Sequence, residues 1–280
     1  MNPYIELLRP GNVIMAMIAI ILVAIVAHSI SIPIILAMLA VFFEISAGNV
    51  INDYFDYKID LINKPERPIP SGRIGLKTAR NYAYIMFLCR TICGFLISYL
   101  TNNWIPFIIV LCADIILYIY AYKLKSTPLI GNLTVGFMTG LCFAFGGFSI
   151  GTPQMIYTSI FLGFFAFVMT TAREITKDIE DIEGDKAEGA KTFPILYGTK
   201  ISAIITFILI ILDCVLCPLL YFQHIFSILY LIIISNAVIL YIYAGILLIR
   251  NLNTESASNV SKYLKIGMLI AVVSFALGSF

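Results

Sequence analysis

The sequence contains few charged residues and very little histidine or tryptophan. Charged residues occupy 12% of the 280 positions and hydrophobic residues 60%, with two histidines and one tryptophan. So little charge excludes a soluble globular domain. The apolar residues form long continuous runs instead of alternating at every second position, which excludes a membrane β-barrel. The sequence therefore predicts an all-α, polytopic membrane protein.

Nine apolar runs are long enough to cross a hydrocarbon core of about 30 Å, which requires roughly 20 helical residues. The predicted spans are 12–28, 33–52, 79–99, 104–122, 131–150, 154–172, 202–221, 225–249 and 262–280. We expect these nine transmembrane helices to form a single membrane-embedded domain over residues 1–280.

Lysine and arginine are absent from every second loop, near 29–32, 100–103, 151–153 and 222–224. All basic residues except Arg90 lie at position 9 or in 58–80, 123–125, 173–200 and 250–265. Because cytoplasmic loops are enriched in basic residues, these loops and the N-terminus are predicted to be cytoplasmic and the C-terminus outside the cell membrane. Topology accounts for the basic residues, so nucleic acid is not a predicted partner.

The cysteines and histidines do not indicate a metal or redox centre. All six cysteines lie in apolar spans, where they suit packing. Cys214 and Cys217 form a C-x-x-C pair, but no second pair accompanies it. His28 and His224 fall on the predicted outer side, so no histidine is available as a general base at the cytoplasmic end.

The second predicted span ends in a row of acids and amides. At 3.6 residues per turn the row shares one helical face: Asn49, Asn52, Asp53, Asp56 and Asp60. Like charges at this spacing repel one another, particularly beside hydrocarbon, so bound cations are predicted. Oxygen ligands favour a hard ion such as Mg²⁺.

A loop with three prolines follows this row and holds Lys64 and Arg67 close to it. Two interpretations of these cations stay open. They either neutralise the acids directly or bind an anion that the metal ions hold from the other side.

The sixth predicted span ends in a second acidic cluster. The spacing of the two clusters is the same: Asp53, Asp56 and Asp60 in the first, Asp178, Asp181 and Asp185 in the second. Matched clusters four spans apart, each before a basic loop, suggest an internal repeat over about 1–125 and 126–280. We expect the clusters to face one central cavity that opens to the cytoplasmic side.

Carboxylates, cations and apolar helices together suit a molecule with an anionic head and a long apolar tail, such as a prenyl diphosphate. Mg²⁺, as two ions, would stabilise the charge on the departing diphosphate, and burial of the reacting carbon would exclude water. A cation or organic-anion transporter is the alternative of a different class. Transporter acids usually lie near the bilayer midplane, whereas both clusters here lie at one interface.

Four ionisable residues lie within the spans. Glu44, Arg90 and Asp114 come to similar depths on three consecutive spans. This predicts a structural ion cluster that joins those helices, and a polar floor to the cavity is the alternative. Asp213 has no evident partner at its depth.

The two motifs, in this order, resemble the signatures of the UbiA-type intramembrane prenyltransferases. The residues that carry the resemblance are Asn52-Asp-x-x-Asp56-x-x-x-Asp60 with Arg67-Pro-x-Pro-Ser-Gly, and Asp178-x-x-Asp181-x-x-Gly-Asp185 with Lys191-Thr-x-Pro. The resemblance covers nearly the whole chain. It implies nine helices and two catalytic metal-binding pairs, Asn52 with Asp56 and Asp181 with Asp185. The remaining metal candidates flank these pairs: Asn49, Asp53, Asp60 and Asp178.

The resemblance also implies a set of substrate-binding residues. Lys64 and Arg67 would bind diphosphate, and Asn12 would line the pocket. The family's Tyr-x-x-x-Lys element is not matched at equal spacing, since Leu124 stands four residues after Tyr120, so Lys123 and Lys125 both stay candidates. Further candidate cations lie in the second motif: Arg173 and Lys177.

The sequence of the second motif is most similar to that of archaeal family members that add a geranylgeranyl group from geranylgeranyl diphosphate to geranylgeranylglyceryl phosphate. This resemblance implies a lipid-like acceptor drawn from the membrane. The alternative acceptor is an aromatic ring, as in quinone, tocopherol or chlorophyll synthesis. Donor chain length and oligomeric state are left open.

Overall fold

The computed structural model describes residues 2–187 and 189–280, and within these residues its regular structure is helical with no strands. The described helices are α1 Pro3–Leu8, α2 Pro10–Val26, α3 Ile32–Phe55, α4 Tyr57–Asn63, α5 Leu76–Thr101, α6 Ile105–Tyr122, α7 Ile130–Ile150, α8 Pro153–Glu180, α9 Ile182–Ala187, α10 Phe193–Tyr197, α11 Thr199–Leu216, α12 Leu219–Phe222, α13 Ile228–Arg250 and α14 Thr254–Gly278. A 3₁₀ turn over Leu124–Ser126 follows α6.

Eight helical segments in the described residues are long and apolar enough to cross a membrane. They are α3, α5, α6, α7, α8, the segment Thr199–Phe222, α13 and α14. These segments confirm a polytopic helical membrane protein. The first predicted span corresponds to α2, which is apolar but 17 residues long.

Two spans continue further than their apolar runs predicted. The second was expected to end at residue 52 and the sixth at 172, whereas α3 ends at Phe55 and α8 at Glu180. The backbone hydrogen bonds of a helix do not depend on apolar side chains, so the polar residues extend the same helix. Asp53 and Asp178 consequently lie on the long helices themselves.

The chain divides into two compact units. Unit 1 contains Met1–Leu124 and Cys142–Ser159, and unit 2 contains Lys125–Leu141 and Ile160–Phe280. The internal repeat over about 1–125 and 126–280 stays a prediction.

In unit 1, a hydrophobic cluster fastens the proline-containing loop to the C-terminal part of α3. Ile69 and Ile74 of the loop are each 3% exposed and pack with Val50 and Ile51 of α3 and with Leu7 of α1. Burying such a side chain contributes about 1.5–3 kcal/mol. The part of the loop that follows Arg67 is therefore held against α3 by packing.

Unit 1 also contains the predicted ion cluster. The Arg90 guanidinium contacts the Glu44 carboxylate at 3.2 Å and donates a hydrogen bond to Asp114. Thr91 donates to the other Asp114 oxygen over 3.1 Å. Arg90 and Glu44 are buried, and the three charges link α3, α5 and α6. The predicted contact among the three charges is confirmed.

In unit 2, α7 and α8 approach with their backbones in contact. A Cβ atom built on Gly140 would lie 2.4 Å from the carbonyl oxygen of Gly163, and one on Gly136 would lie 2.7 Å from that of Phe167. Because real side chains do not approach this closely, glycine is required at both positions of α7.

Another part of unit 2 encloses Asp213 on α11. This side chain is 3% exposed, and its Oδ1 atom has no hydrogen-bond partner among the described residues. Its Oδ2 atom lies 3.9 Å from the Cys217 sulfur. The Tyr230 hydroxyl donates to the Cys217 carbonyl over 2.7 Å. Asp213 is thus a buried carboxyl group that no basic residue in the described ranges pairs with.

Candidate active site

Both acidic motifs have the same local form, a long helix followed by a short one. A single residue separates each pair, Asp56 between α3 and α4 and Asp181 between α8 and α9. The Asp56 amide donates to the Asn52 carbonyl over 2.9 Å, and the Asp181 amide donates to the Lys177 carbonyl over 2.8 Å. These bonds keep helical spacing across each junction, as the sequence pattern predicted.

The first motif is balanced by two arginines. Arg9 donates to Asp53 Oδ1, and Arg67 Nη1 lies 3.3 Å from the same oxygen. Arg67 Nη1 also donates to Asp60 Oδ2 over 2.6 Å. Asp53 and Asp60 are 3% and 4% exposed, so these charges need close partners. Arg67 therefore neutralises the acids in this structure, while Lys64 is exposed at the end of α4.

The amides of the first motif have different surroundings. Asn49 Nδ2 donates to the Leu8 carbonyl over 2.8 Å, which ties α3 to α1. Asn52 Oδ1 is buried and has no hydrogen-bond partner among the described residues. An unsatisfied buried acceptor costs about 1–3 kcal/mol, and a bound cation would remove this cost. Asp56 lies one helical turn further along and is partly buried.

An ion pair at the surface fastens α1 to the loop. Arg73 makes a two-pronged contact with Glu6, with distances of 2.7 and 3.0 Å. Hydrogen bonding from Arg73 lowers the pKa of Glu6, and the same bond raises the pKa of Arg73. Arg9 follows in a left-handed conformation, with φ of 50°, between α1 and α2. The start of the chain is thereby held beside the first motif.

In the second motif, Asp178 is held by an amide. Asn132 Nδ2 on α7 donates to Asp178 Oδ2 over 2.8 Å, and Asn132 is 8% exposed. Asp181 is exposed, and Asp185 is partly buried on α9. Two acids of this motif therefore remain accessible at the end of α8.

The predicted cations of the second motif lie beside Glu174. Arg173 Nη1 is 3.1 Å from Glu174 Oε1, and Lys177 Nζ is 3.8 Å from Glu174 Oε2. Arg173 Nε is buried with no hydrogen-bond partner in the described part of the chain. Arg173 consequently retains a donor that a phosphate oxygen would satisfy.

The other predicted substrate-binding residues lie at helix ends. Asn12 is exposed in the first turn of α2. Tyr120 lies in the last turn of α6, Lys123 directly follows α6, and Lys125 lies in the 3₁₀ turn.

The donor set fits Mg²⁺. It consists of carboxylate and amide oxygens, which a hard divalent ion prefers, and the unpartnered Asn52 Oδ1 is one of them. Among residues 2–187 and 189–280, no group of three His, Cys, Asp or Glu side chains is arranged to hold a metal by itself. Mg²⁺ is usually coordinated by one or two carboxylates together with substrate phosphate oxygens and water. A site made of three or more protein carboxylates is therefore not required.

Two of these contacts were not predicted from the sequence. Arg9 pairs with Asp53, and its left-handed backbone conformation has no simple sequence signal. Asn132 contacts Asp178 from a different helix. An isolated amide near the end of an apolar span, at the same predicted depth as the acidic motif, was the available indication.

The UbiA prenyltransferase family matches residues 12–271 of the chain. A protein named digeranylgeranylglyceryl phosphate synthase from Methanobrevibacter smithii is 70% identical over 280 residues, covering 100% of this chain and 99% of the relative. A protein of the same name from Methanosphaera stadtmanae is 53% identical and covers 100% of both chains.

Solved structures share the fold. One, described in work on the biosynthesis of digeranylgeranylglyceryl phosphate synthase in membranes, superposes with a TM-score of 0.88 at 40% identity, covering 99% of this chain and 97% of the other. A UbiA homolog from Archaeoglobus fulgidus bound to GPP and Mg²⁺ superposes with a TM-score of 0.66 at 19% identity, covering 96% and 99%. At that identity the second similarity shows the fold alone.

Proposed function

Because this chain belongs to the UbiA prenyltransferase family, we propose that it transfers a geranylgeranyl group to a lipid-like acceptor. The donor is geranylgeranyl diphosphate, and the acceptor is the free hydroxyl of geranylgeranylglyceryl phosphate. The product is digeranylgeranylglyceryl phosphate, an intermediate of archaeal ether-lipid synthesis. Full-length relatives at 70% and 53% identity carry the name of the synthase for this product, which supports the assignment.

The main support for this site is the Asn52 Oδ1 atom of the first motif, which is buried and has no hydrogen-bond partner in the described part of the chain. We assign metal binding at the catalytic centre to Asn52, Asp56, Asp181 and Asp185. Flanking positions are Asn49, Asp53, Asp60 and Asp178. When bound, Mg²⁺, as two ions, supplies positive charge that stabilises the diphosphate as it departs.

Basic side chains share the charge of the substrate phosphates. Arg67 is already fixed at the first motif by its bond to Asp60, and the buried Nε of Arg173 has no hydrogen-bond partner among the described residues. The further substrate-binding candidates are Asn12, Lys64, Tyr120, Lys123, Lys125 and Lys177.

The reaction breaks the bond between the allylic carbon and the diphosphate oxygen and forms an ether bond to the acceptor hydroxyl. Diphosphate departs first, and the acceptor hydroxyl loses its proton as it then attacks the allylic carbon. A motif carboxylate and a freed diphosphate oxygen are the two candidate proton acceptors. Exclusion of water from the apolar helices protects the allylic carbon from hydrolysis.

We also propose that nine helices cross the membrane. α2 is an apolar helix of about 25 Å at 1.5 Å per residue, close to the hydrocarbon thickness, and we assign it as the ninth span. The segregation of lysine and arginine supports cytoplasmic placement of the N-terminus and the basic loops, with the C-terminus outside and the substrate cavity open to the cytoplasm.

The test is an acceptor panel with mass identification of the product. Purified protein is incubated with geranylgeranyl diphosphate, Mg²⁺ and one of three acceptors: geranylgeranylglyceryl phosphate, 4-hydroxybenzoate or homogentisate. We expect a product only with the glycerol phosphate ether, heavier by one geranylgeranyl group. A product only with an aromatic acceptor would overturn the acceptor assignment and retain the prenyltransferase assignment. Prenyl transfer to none of the three, with uptake of an ion or organic anion into vesicles, would support a transporter.

A further inference from the structure

The hydrogen bond between Asn132 and Asp178 joins two helices at the second motif. Asn132 lies near the start of α7, is 8% exposed, and donates to Asp178 Oδ2 over 2.8 Å. Asp178 is the first acid of the cluster that continues to Asp181 and Asp185. We propose that Asn132 is a positioning residue that fixes the Asp178 carboxylate for metal binding by the second motif. This inference rests on the proposed function, because it requires that motif to bind a divalent cation.

Close packing of α7 and α8 fixes the position from which Asn132 donates. Asn132, Gly136 and Gly140 follow one another at intervals of four residues and so share one face of α7. The two glycines bring the α7 backbone against α8, where a Cβ atom on Gly140 would lie 2.4 Å from the Gly163 carbonyl oxygen. At these positions the backbones leave no room for a side chain between the two helices. The amide of Asn132 is therefore presented to Asp178 at a defined position.

The chemistry of this donor differs from that in the first motif. Arg9 and Arg67 bind Asp53 with positive charge and so neutralise it. Asn132 is uncharged, and no ion pair to Asp178 is formed by the residues that the structure describes. A neutral donor orients one carboxylate oxygen and leaves the negative charge in place. Asp178 is thus held by a neutral group, whereas Asp53 is paired with arginines.

The expected effect of removing Asn132 can be estimated from the usual contribution of groups that hydrogen-bond to metal ligands. Removal of a hydrogen-bond partner that orients a metal ligand typically weakens metal affinity by about 10–100-fold. We propose that Asn132 acts on the metal ligand and not on the substrate. Its loss should therefore raise the Mg²⁺ concentration needed for half-maximal activity. Turnover at saturating Mg²⁺ should remain close to that of the wild type.

The experiment measures Mn²⁺ binding to the purified full chain in nanodiscs by electron paramagnetic resonance. The variants are Asn132→Ala, Asp178→Ala, the double variant and Asp181→Ala. Thr134→Ala is the matched control, because Thr134 lies on the same helix and its hydroxyl bonds to the Ile130 carbonyl. Asn132→Leu replaces the amide by an apolar group of similar shape and serves if the alanine variant does not fold.

We expect Asn132→Ala to weaken Mn²⁺ binding by about tenfold or more, with no added effect in the Asp178→Ala background. Thr134→Ala should bind as the wild type does. Loss of binding in Asp181→Ala with unchanged binding in Asn132→Ala and Asn132→Leu would overturn the positioning role alone. Unchanged binding in Asp181→Ala as well would instead overturn the metal role of the second motif. Independent, additive losses in the double variant would show that Asn132 does not act through Asp178.

Discussion

Arg67 Nη1 donates to Asp60 Oδ2 over 2.6 Å and lies 3.3 Å from Asp53 Oδ1. One guanidinium therefore bridges two carboxylates that lie seven residues apart on consecutive helices. The loop that carries Arg67 is packed down by Ile69 and Ile74. The first motif thus combines a rigid loop with acids whose charge the chain itself balances.

This bridge predicts a coupled effect on stability. Arg67→Ala leaves Asp53 and Asp60 buried with less compensation, and we expect a loss of about 2–3 kcal/mol in the free energy of unfolding. This is below the value for a fully buried pair, because the Arg67 side chain is 23% exposed. Adding Asp60→Asn to Arg67→Ala should recover part of the loss. Thermal unfolding of the single and double variants in detergent checks this, and strictly additive losses would contradict the bridge.

The ion cluster of Glu44, Arg90 and Asp114 predicts that Arg90→Ala impairs folding more than catalysis. Arg90→Ala leaves Glu44 and Asp114 unpaired, which costs about 3–5 kcal/mol for a buried pair. We expect the folded yield to fall while turnover per folded molecule stays near the wild-type value. The triple variant Arg90→Met, Glu44→Gln, Asp114→Asn should restore yield. A normal yield of Arg90→Ala with little turnover would instead place Arg90 in the active site.

Unlike the charges of the ion cluster, the buried Asp213 carboxyl group is predicted to contribute little to stability. Its Oδ1 atom lacks a partner among the described residues, and no basic side chain there pairs with it, so the carboxyl group stabilises little. We expect Asp213→Asn to leave the unfolding temperature unchanged or to raise it, with activity retained. Asp114→Asn, which removes a charge that Arg90 does pair with, serves as the comparison and should lower the unfolding temperature. A large loss of stability in Asp213→Asn would mean that the carboxylate has a partner role in the fold.

The Glu6–Arg73 pair predicts a pH effect on α1. The folded pKa of Glu6 lies below its value in the unfolded chain, where it is about 4.3. The contribution of the pair is therefore present above that unfolded value and is lost as pH falls through the folded pKa. Amide hydrogen exchange of residues 4–8, corrected for intrinsic rates, should show protection at neutral pH that declines in acid. Glu6→Gln should lack this acid-dependent change, and an identical pH profile in both proteins would contradict the role of the pair.

The architecture could be predicted from sequence because it depends on strong and local signals. Apolar runs of membrane length located the spans, and helical spacing placed Asp53, Asp56 and Asp60 on one continuous helical path. The matched spacing of Asp178, Asp181 and Asp185 indicated the second motif, and the structure shows the same junction at Asp56 and Asp181.

What the sequence did not predict depends on contacts between separate helices. The pairing of Arg9 with Asp53 requires a left-handed residue between α1 and α2, and the bond from Asn132 to Asp178 requires that two glycine-containing helices meet. Neither contact has a periodic signal along the chain. The contact among Glu44, Arg90 and Asp114 was predicted correctly from their similar depths in consecutive spans. Charged side chains inside a membrane protein are stable only beside a partner of opposite charge, so similar depth indicates contact.

We infer that both acidic motifs are needed for Mg²⁺-dependent loss of diphosphate from a prenyl donor. The most direct measurement is diphosphate release from geranylgeranyl diphosphate, with acceptor and Mg²⁺ present, by the wild type, Asp56→Ala and Asp185→Ala. Ser235→Ala is a control that should release diphosphate at the wild-type rate, because Ser235 is exposed on α13 and its hydroxyl donates only to the Ile232 carbonyl of the same helix. We expect each aspartate variant to lower the rate by at least about 100-fold while remaining folded, and chelation of Mg²⁺ to abolish release by the wild type. A wild-type rate in either aspartate variant would contradict the requirement for both motifs.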